Sequence, residues 1–284
     1  MVLAVIDLHT HTAFSDGTFS PEQLMSLAVE RGLSTLAITD HDTAGGWADA
    51  QTAADAAGIE LVTGVEFSAS YQGSSVHVLA YWPDADDPEF AEELTRLHDD
   101  RFRRGEMMVE KLQALGYPIT FERVREISQG DNIVRPHIAQ ALVEAGVVET
   151  VKEAFTAELI ADGGKADVQK HALHPVDALG LIKRAGGVCV LAHPGMWGAQ
   201  GELPIALVEE MAEAGMDGLE VDHPDHDEEQ RGRFRALAGR LGLLVTGSSD
   251  CHGVRYEPIR LGCATTTEDQ FAELKSRAEG RAKG

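Results

Sequence analysis

Thr35-Leu-Ala-Ile-Thr39 is an apolar run that passes without a break into Asp40-His41-Asp42. It reads as a buried strand that delivers a polar triplet at its C-terminal end. The arrangement recurs. Asp7-Leu-His9-Thr-His11 closes a strand expected over Val2–His11, Ala192-His193-Pro194 follows Val188–Leu191, and Ser249-Asp250-Cys251-His252 follows Leu243–Thr246. In a parallel barrel all strand C-termini lie on one rim, so four strands would bring His or Asp to the same end.

Helical patterns alternate with these strands. Pro21–Arg31 carries a full set of signals, with Ser20 as N-cap, Pro21 at the first position, Gln23 completing a capping box and Gly32 closing the helix. Helices are expected at Ala44–Ala57, Leu203–Ala214 and Asp225–Leu241, and further strands at Leu61–Ser68, Ser75–Trp82 and Asp217–Val221. Repeated βα units favour a parallel sheet or barrel with helices outside. Residues 89–181 differ. Glu89–Leu115, Pro136–Ala145 and Glu149–Ile160 read as helices with little strand signal between them. The expected organisation is an α/β barrel formed by residues 1–88 and 182–284, with a helical insert over 89–181.

Composition narrows the function. The 284 residues include 47 Asp and Glu against 24 Lys and Arg, a net charge of −23. Duplex nucleic acid and polybasic membrane contacts both call for a basic surface, so neither is an expected partner. No apolar run has the length of a membrane span, and Met1–Asp7 lacks the features of a signal peptide. Three widely spaced cysteines form no disulfide framework and suit a reducing, cytoplasmic setting. The twelve histidines stand out for their placement.

The side-chain period of a strand puts Asp7, His9 and His11 on one face and Ile6 and Leu8 on the other. With His41, His77, His193 and His252, and with Asp16, Glu66 and Asp250, the chain offers six imidazoles and three carboxylates for metal. One tetrahedral ion uses four ligands, so nine imply two or three divalent ions, with Glu66 or Asp250 bridging. Nitrogen and oxygen donors without cysteine suit Mn²⁺ foremost, or Fe²⁺ or Zn²⁺. Cys251 should point away from its neighbours and act as a small buried residue.

The four motifs, taken in order with Gly64-Val-Glu66 and His77 between the second and third, resemble those of the polymerase-and-histidinol-phosphatase (PHP) superfamily over nearly the whole chain. The insert and Arg135-Pro136-His137-Ile138-Ala139 resemble stand-alone PHP phosphoesterases, which act on nucleotide-like phosphates. The resemblance implies a distorted seven-stranded βα barrel, a trinuclear site, and the same nine ligands. In the insert, Arg101 and Arg104 are three apart on one helix face and match an Arg-x-x-Arg of the family. Guanidinium groups bind phosphate oxygens in a fork, whereas the plain alternative is a solvated face pairing with Asp99, Asp100 and Glu106. Arg135 and His137 form a second expected clamp, set against a capping or packing role for the histidine. His226 matches a family histidine and is the expected proton donor. His223 has no such match, and His98, His171 and His174 read as ordinary helix and loop residues. Where relatives often carry a Pro-Gly/Ala-Tyr-Val turn, this chain has Lys165-Ala-Asp-Val168, which bears on substrate identity.

The expected function is hydrolysis of a small phosphorylated substrate by metal-activated water, with Asp16, Asp250 and His226 at the reaction. A nucleoside 3′,5′-bisphosphate, a phosphoribosyl cyclic phosphate or a short RNA 5′ end fits. Amide-bond hydrolysis of the amidohydrolase type is the rival enzyme reading, weakened because no lysine precedes Lys111. A non-catalytic metal-binding module is the rival outside catalysis.

Overall fold

The structure, a computed structural model, describes residues 4–128, 132–169, 172–197, 201–255 and 257–281. Seven strands stand in chain order in one sheet: β1 (Ile6–Asp7), β2 (Thr35–Ile38), β3 (Glu60–Tyr71), β4 (Ser74–Tyr81), β5 (Val188–Leu191), β6 (Gly218–Asp222) and β7 (Leu244–Gly247). Thr266 draws the two edges together. Its N–H donates to Ile6 O at 2.9 Å, and its hydroxyl donates to Gly247 O at 2.8 Å while accepting from Gly247 N. The result is a nearly closed, distorted α/β barrel.

Four helices follow strands on the outside: α1 (Pro21–Glu30), α2 (Trp47–Ala57), α7 (Ile205–Glu213) and α8 (Glu228–Leu241); α3 (Pro88–Ala114), α4 (Phe121–Ser128), α5 (Arg135–Glu144) and α6 (Pro175–Arg184) lie between β4 and β5, and α9 (Glu268–Arg281) ends the fold. The expected box at α1 is present, with Gln23 N–H on Ser20 Oγ and Ser20 N–H on Gln23 Oε1. Leu24, Met25 and Ala28 of α1 pack with Leu36, Ile38, Ala50 and Ala54. Inside the barrel, Ile6, Leu8, Val62, Leu79, Tyr81 and Val190 meet Phe271 and Leu274 of α9.

Three expectations need correction. The sheet is not all parallel: β4 runs antiparallel to both β3 and β5. The connection from β3 is a tight turn at Gln72-Gly73, both at positive φ, which joins neighbouring strands only as a hairpin. The first strand is two residues, not ten. After Asp7 the chain leaves the ladder and is held by a bridge from Thr10 to Cys251; the first two residues of the expected strand lie outside the described residues. Of the helix expected over Glu149–Ile160, only a 3-10 turn at Val151–Ala154 forms. Ala154, Leu159 and Ile160 are buried in the insert core, so their apolar spacing is met by a coiled segment.

The insert has a core of its own, including Met108, Leu112, Val124, Ile133, Leu142 and Ile160. Phe90, Leu94 and Leu97 at the start of α3, and Ala178 to Ile182 on both sides of the 181/182 division, pack with Phe67 and Val78 of the barrel.

Candidate metal centre and substrate pocket

The rim of the barrel gathers polar residues from several strands and the loops that follow them. His9 and His11 follow β1, and His11 N–H donates to Cys251 O at 2.9 Å. Asp16 sits in the next turn, where Gly17 passes so close that a Cβ would lie 2.3 Å from His11 O. Asp40 ties this turn down, accepting from Thr12 N, Thr12 Oγ1 and Ser15 Oγ at 2.6–2.8 Å. Glu66 comes from the middle of β3. His77 reaches the same rim because β4 is antiparallel: its register partner is Ser68, near the far end of β3. His193 follows β5, and Asp250 and His252 follow β7. Asp42, His193 and Asp250 each have positive φ, an unfavourable backbone for these residues that loops at functional sites tolerate.

Among the described residues three groups of donor atoms converge closely enough to hold metal ions: His9, His11, Glu66 and Asp250; His41, Glu66 and His77; and His11, Asp16, His41 and His252. In the first, His9 Nε2 and His11 Nε2 lie 3.1 Å apart, and each is 3.1–3.3 Å from Glu66 Oε2 and Asp250 Oδ1. Ligands on bonds of about 2.0–2.2 Å span roughly that distance, so the donors suit one cation. Glu66 bridges groups: Oε2 faces His9, His11 and His41, while Oε1 faces His77 at 2.6 Å and His193 at 3.0 Å. His11 and His41 each turn one nitrogen toward Glu66 and the other toward Asp16. A neutral imidazole has one lone pair for metal, so each ring can serve one ion at a time.

The electrostatics favour cations. Burial alone would raise the carboxyl pKa values, yet the surrounding imidazoles hold Asp16, Glu66 and Asp250 well below the usual range. Burial would likewise lower His11, but Asp250 and Glu66 push it up to about 10. The carboxylates likewise raise His9 and His193, whereas burial holds His41 well below its ordinary value. Buried Asp250 Oδ1 and His41 Nδ1 make no hydrogen bond, as befits atoms placed for another partner.

Two residues without an assigned role in the sequence reading belong to this centre. Glu220 of β6 is fully buried; its Oε1 holds His9 Nδ1 at 3.1 Å and its Oε2 accepts from His193 N at 2.8 Å. Burial opposes its ionisation, but His9 and its neighbours bring its pKa down to about 2. A lone carboxylate in the apolar stretch Leu219-Glu-Val221 was the signal. His223, expected as a plain loop histidine, is buried too. Its Nδ1 accepts from Asp225 N–H, which puts the proton of the neutral ring on Nε2, 3.4 Å from Asp250 Oδ2.

Other expectations shift. Asp7 joins none of the three groups; the alternation fails where β1 ends, and its carboxylate accepts from Ser249 N and Gly262 N. His226 has both nitrogens engaged, Nδ1 donating to Val221 O and Nε2 accepting from Gly195 N, and does not line the pocket. Burial lowers its pKa, so a neutral, fully bonded ring holds the turn after Pro194 and is not placed to give a proton to a substrate. His137 is 1% exposed and absent from the pocket wall; its Nδ1 accepts from Val134 N, the capping alternative. His174 caps α6, His98 is exposed beside Asp99, and His171 lies outside the described residues. Cys251 points into the α1–α2 core as expected.

A pocket of about 340 Å³ is lined by residues of both barrel and insert, among them Asp16, His41, Glu66 and His77. Arg101, Arg104 and Arg135 of the insert line it too. None belongs to a solvated charge run: Arg101 reaches Asp42 at 2.6 Å and Ser68, Arg104 holds Val168 O at 2.5 Å and Asp167 at 3.0 Å, and Arg135 pairs with Asp162. Burial lowers the Arg104 pKa, and repulsion from Arg135 and Arg101 lowers it further. Crowded guanidinium groups on a buried wall invite an anion.

The PHP domain profile matches residues 7–89. Over 252 residues the chain is 34% identical to the 3′,5′-nucleoside bisphosphate phosphatase of Chromobacterium violaceum, covering 88% of each protein. This chain belongs to the PHP family. Other PHP relatives are the 5′-3′ exoribonuclease Rnm of Escherichia coli, 32% identical over 87% of this chain and 85% of that one, and the phosphoribosyl 1,2-cyclic phosphate 1,2-diphosphodiesterase of Eggerthella lenta, 31% identical over 87% and 94%. A Bifidobacterium adolescentis structure ascribed to a metal-dependent phosphoesterase superposes with a TM-score of 0.88, at 38% identity over 96% of both chains. An amidohydrolase structure from Chromobacterium violaceum, with bound sulfate and no metal, gives 0.84 at 31% identity over 96% and 97%. This PHP protein is a metal-dependent hydrolase of phosphoester bonds. The amide-hydrolysis alternative wanted a lysine at a strand end, and among the described residues no lysine lines the pocket.

Proposed function

We propose that the PHP barrel hydrolyses small phosphate esters carrying a second phosphate, such as nucleoside 3′,5′-bisphosphates, or the 5′ ends of short RNA. Phosphoribosyl cyclic phosphate is the second reading, favoured by the resemblance to the Eggerthella lenta enzyme. The observation that carries the proposal is that one pocket is lined both by members of the metal-capable groups of the barrel and by three arginines of the insert. In this reading His9, His11, Asp16, His41, Glu66, His77, His193, Asp250 and His252 hold two or three divalent ions, Mn²⁺ foremost. Ions so held supply an attacking water at neutral pH and offset the charge of the phosphoryl oxygens. Glu66 and Asp250 fix the donor geometry, Glu220 orients His9, and His223 occupies Asp250 Oδ2 so that Oδ1 faces His9 and His11. Arg101 and Arg104 grip the remote phosphate and Arg135 flanks them. The insert, whose packed core runs from about residue 102 to 168, serves as the substrate-binding cap.

Among the described residues no helix is long and apolar enough to cross a membrane. The surplus of acidic residues supports small substrates rather than duplex nucleic acid, and three unpaired cysteines support a cytoplasmic location. The test is phosphate release from 3′,5′-bisphosphates, phosphoribosyl cyclic phosphate and short 5′-phosphorylated RNA with added Mn²⁺. Release from the bisphosphates is expected; a fully metal-loaded protein that leaves every ester intact would overturn the proposal.

A further inference from the structure

Phe155 is the one aromatic side chain of the described insert that faces the pocket without joining the insert core. It follows the 3-10 turn Val151–Ala154, and its neighbours Ala154, Leu159 and Ile160 are buried in that core. Phe155 itself is 37% exposed and lines the pocket. Exposing a phenyl ring while adjacent apolar residues are buried forgoes its hydrophobic stabilisation. The ring is not loose. The guanidinium of Arg135 lies over its face, 5.7 Å from the ring centroid, and Arg135 is pinned by Asp162 Oδ1 at 2.6 Å. Asp162 and Arg135 line the same pocket, as do the apolar Met108 and Ile138. The one pocket therefore combines metal-capable groups and arginines suited to phosphates with an oriented aromatic surface backed by a cation.

We propose that Phe155, set by Arg135, is the platform on which the base of a nucleotide substrate stacks, making base-bearing phosphate esters the substrate class of this site. The inference rests on the phosphoesterase reading above and chooses among its substrates. A bare phosphoribosyl group has no planar surface to place there. Stacking is tolerant of base identity, because every base has a π-face. Specificity is thus for the presence of a base, and the four common bases should be handled within about tenfold of one another.

The experiment compares the wild type with Phe155→Leu, which keeps apolar bulk, and Phe155→Trp, which keeps a ring. Calorimetry on Mn²⁺-loaded protein measures binding of adenosine 5′-monophosphate and ribose 5-phosphate. Steady-state kinetics measures kcat/KM for adenosine 3′,5′-bisphosphate and ribose 1,5-bisphosphate. The wild type should prefer the base-bearing compound in each pair. Phe155→Leu should shrink that preference by about five- to a hundredfold, mainly through KM, and Phe155→Trp should retain it. Equal wild-type affinity for the two monophosphates would overturn the proposal. So would a Phe155→Leu effect that falls equally on both members of a pair, or on neither. Should none of the esters be hydrolysed, the function reading fails; the calorimetric preference still decides the platform.

Discussion

At the residue scale, the centre depends on groups that never touch a metal. Glu220 grips the outer nitrogen of His9 and the backbone of His193, so it sets two donors at once. Glu220→Gln keeps the shape and loses the charge. It should weaken metal affinity about ten- to a hundredfold, with activity recovered in excess metal. Metal titration showing unchanged affinity would mean that His9 is fixed by packing alone. His9→Ala and Asp250→Ala remove donors outright, and both should lower the bound metal count as well as abolish turnover. Unchanged stoichiometry in both would contradict their assignment. The candidate donors were readable as His and Asp at the ends of four apolar strands, and the structure gathers eight of the nine into three close groups. The sequence left Glu220 and His223 without roles, because one buried carboxylate in a strand or one loop histidine carries no periodic signal. Nor could it show that the backbone engages both nitrogens of His226 and Nδ1 of His137.

At the element scale, strand direction decides what reaches the rim. The hairpin at Gln72-Gly73 reverses β4, and this alone brings His77 beside Glu66. Strand runs were readable from their apolar content, but direction was not, since Ser-Val-His-Val-Leu looks the same in either sense. The coiled stretch after Val151 defeated the helical pattern for a related reason: a two-sided apolar spacing satisfies any buried segment. That stretch carries Asp162 and Asp167, the partners of Arg135 and Arg104. If the arginines grip a remote phosphate, Arg101→Ala and Arg104→Ala should each lower the ratio of kcat/KM on a 3′,5′-bisphosphate to that on p-nitrophenyl phosphate by about tenfold or more. An unchanged ratio would return them to a role in joining the insert to the barrel. On the opposite side of the barrel, Leu274 of α9 is fully buried against the interior strands. Leu274→Ala should cost about 2–5 kcal/mol in a denaturant titration, and a smaller loss would mean that α9 is peripheral.

At the scale of the whole molecule, proton uptake and stability are linked. Burial holds the His137 pKa down to about 4, below the unfolded value near 6.5. Above pH 6.5 both states are neutral there and no difference arises. As pH falls toward 4 the unfolded chain takes a proton that the folded one refuses, so stability is lost across that window, on the order of 2–3 kcal/mol by pH 4.5. Chelator-treated wild type and His137→Asn should therefore diverge as the medium is acidified, and parallel stability curves would refute the assignment. The barrel also has a history written into its strand order. During synthesis the β3–β4 hairpin emerges early, yet the far edge of β4, at Val78 to Tyr81, pairs with β5, which comes about a hundred residues later. At the pace of a ribosome that interval is on the order of ten seconds. For that time an apolar strand edge stands open on the nascent chain, a template for wrong partners. The insert is thus also a delay, and a version of the gene with the insert shortened should yield a nascent chain that spends less time in the care of chaperones.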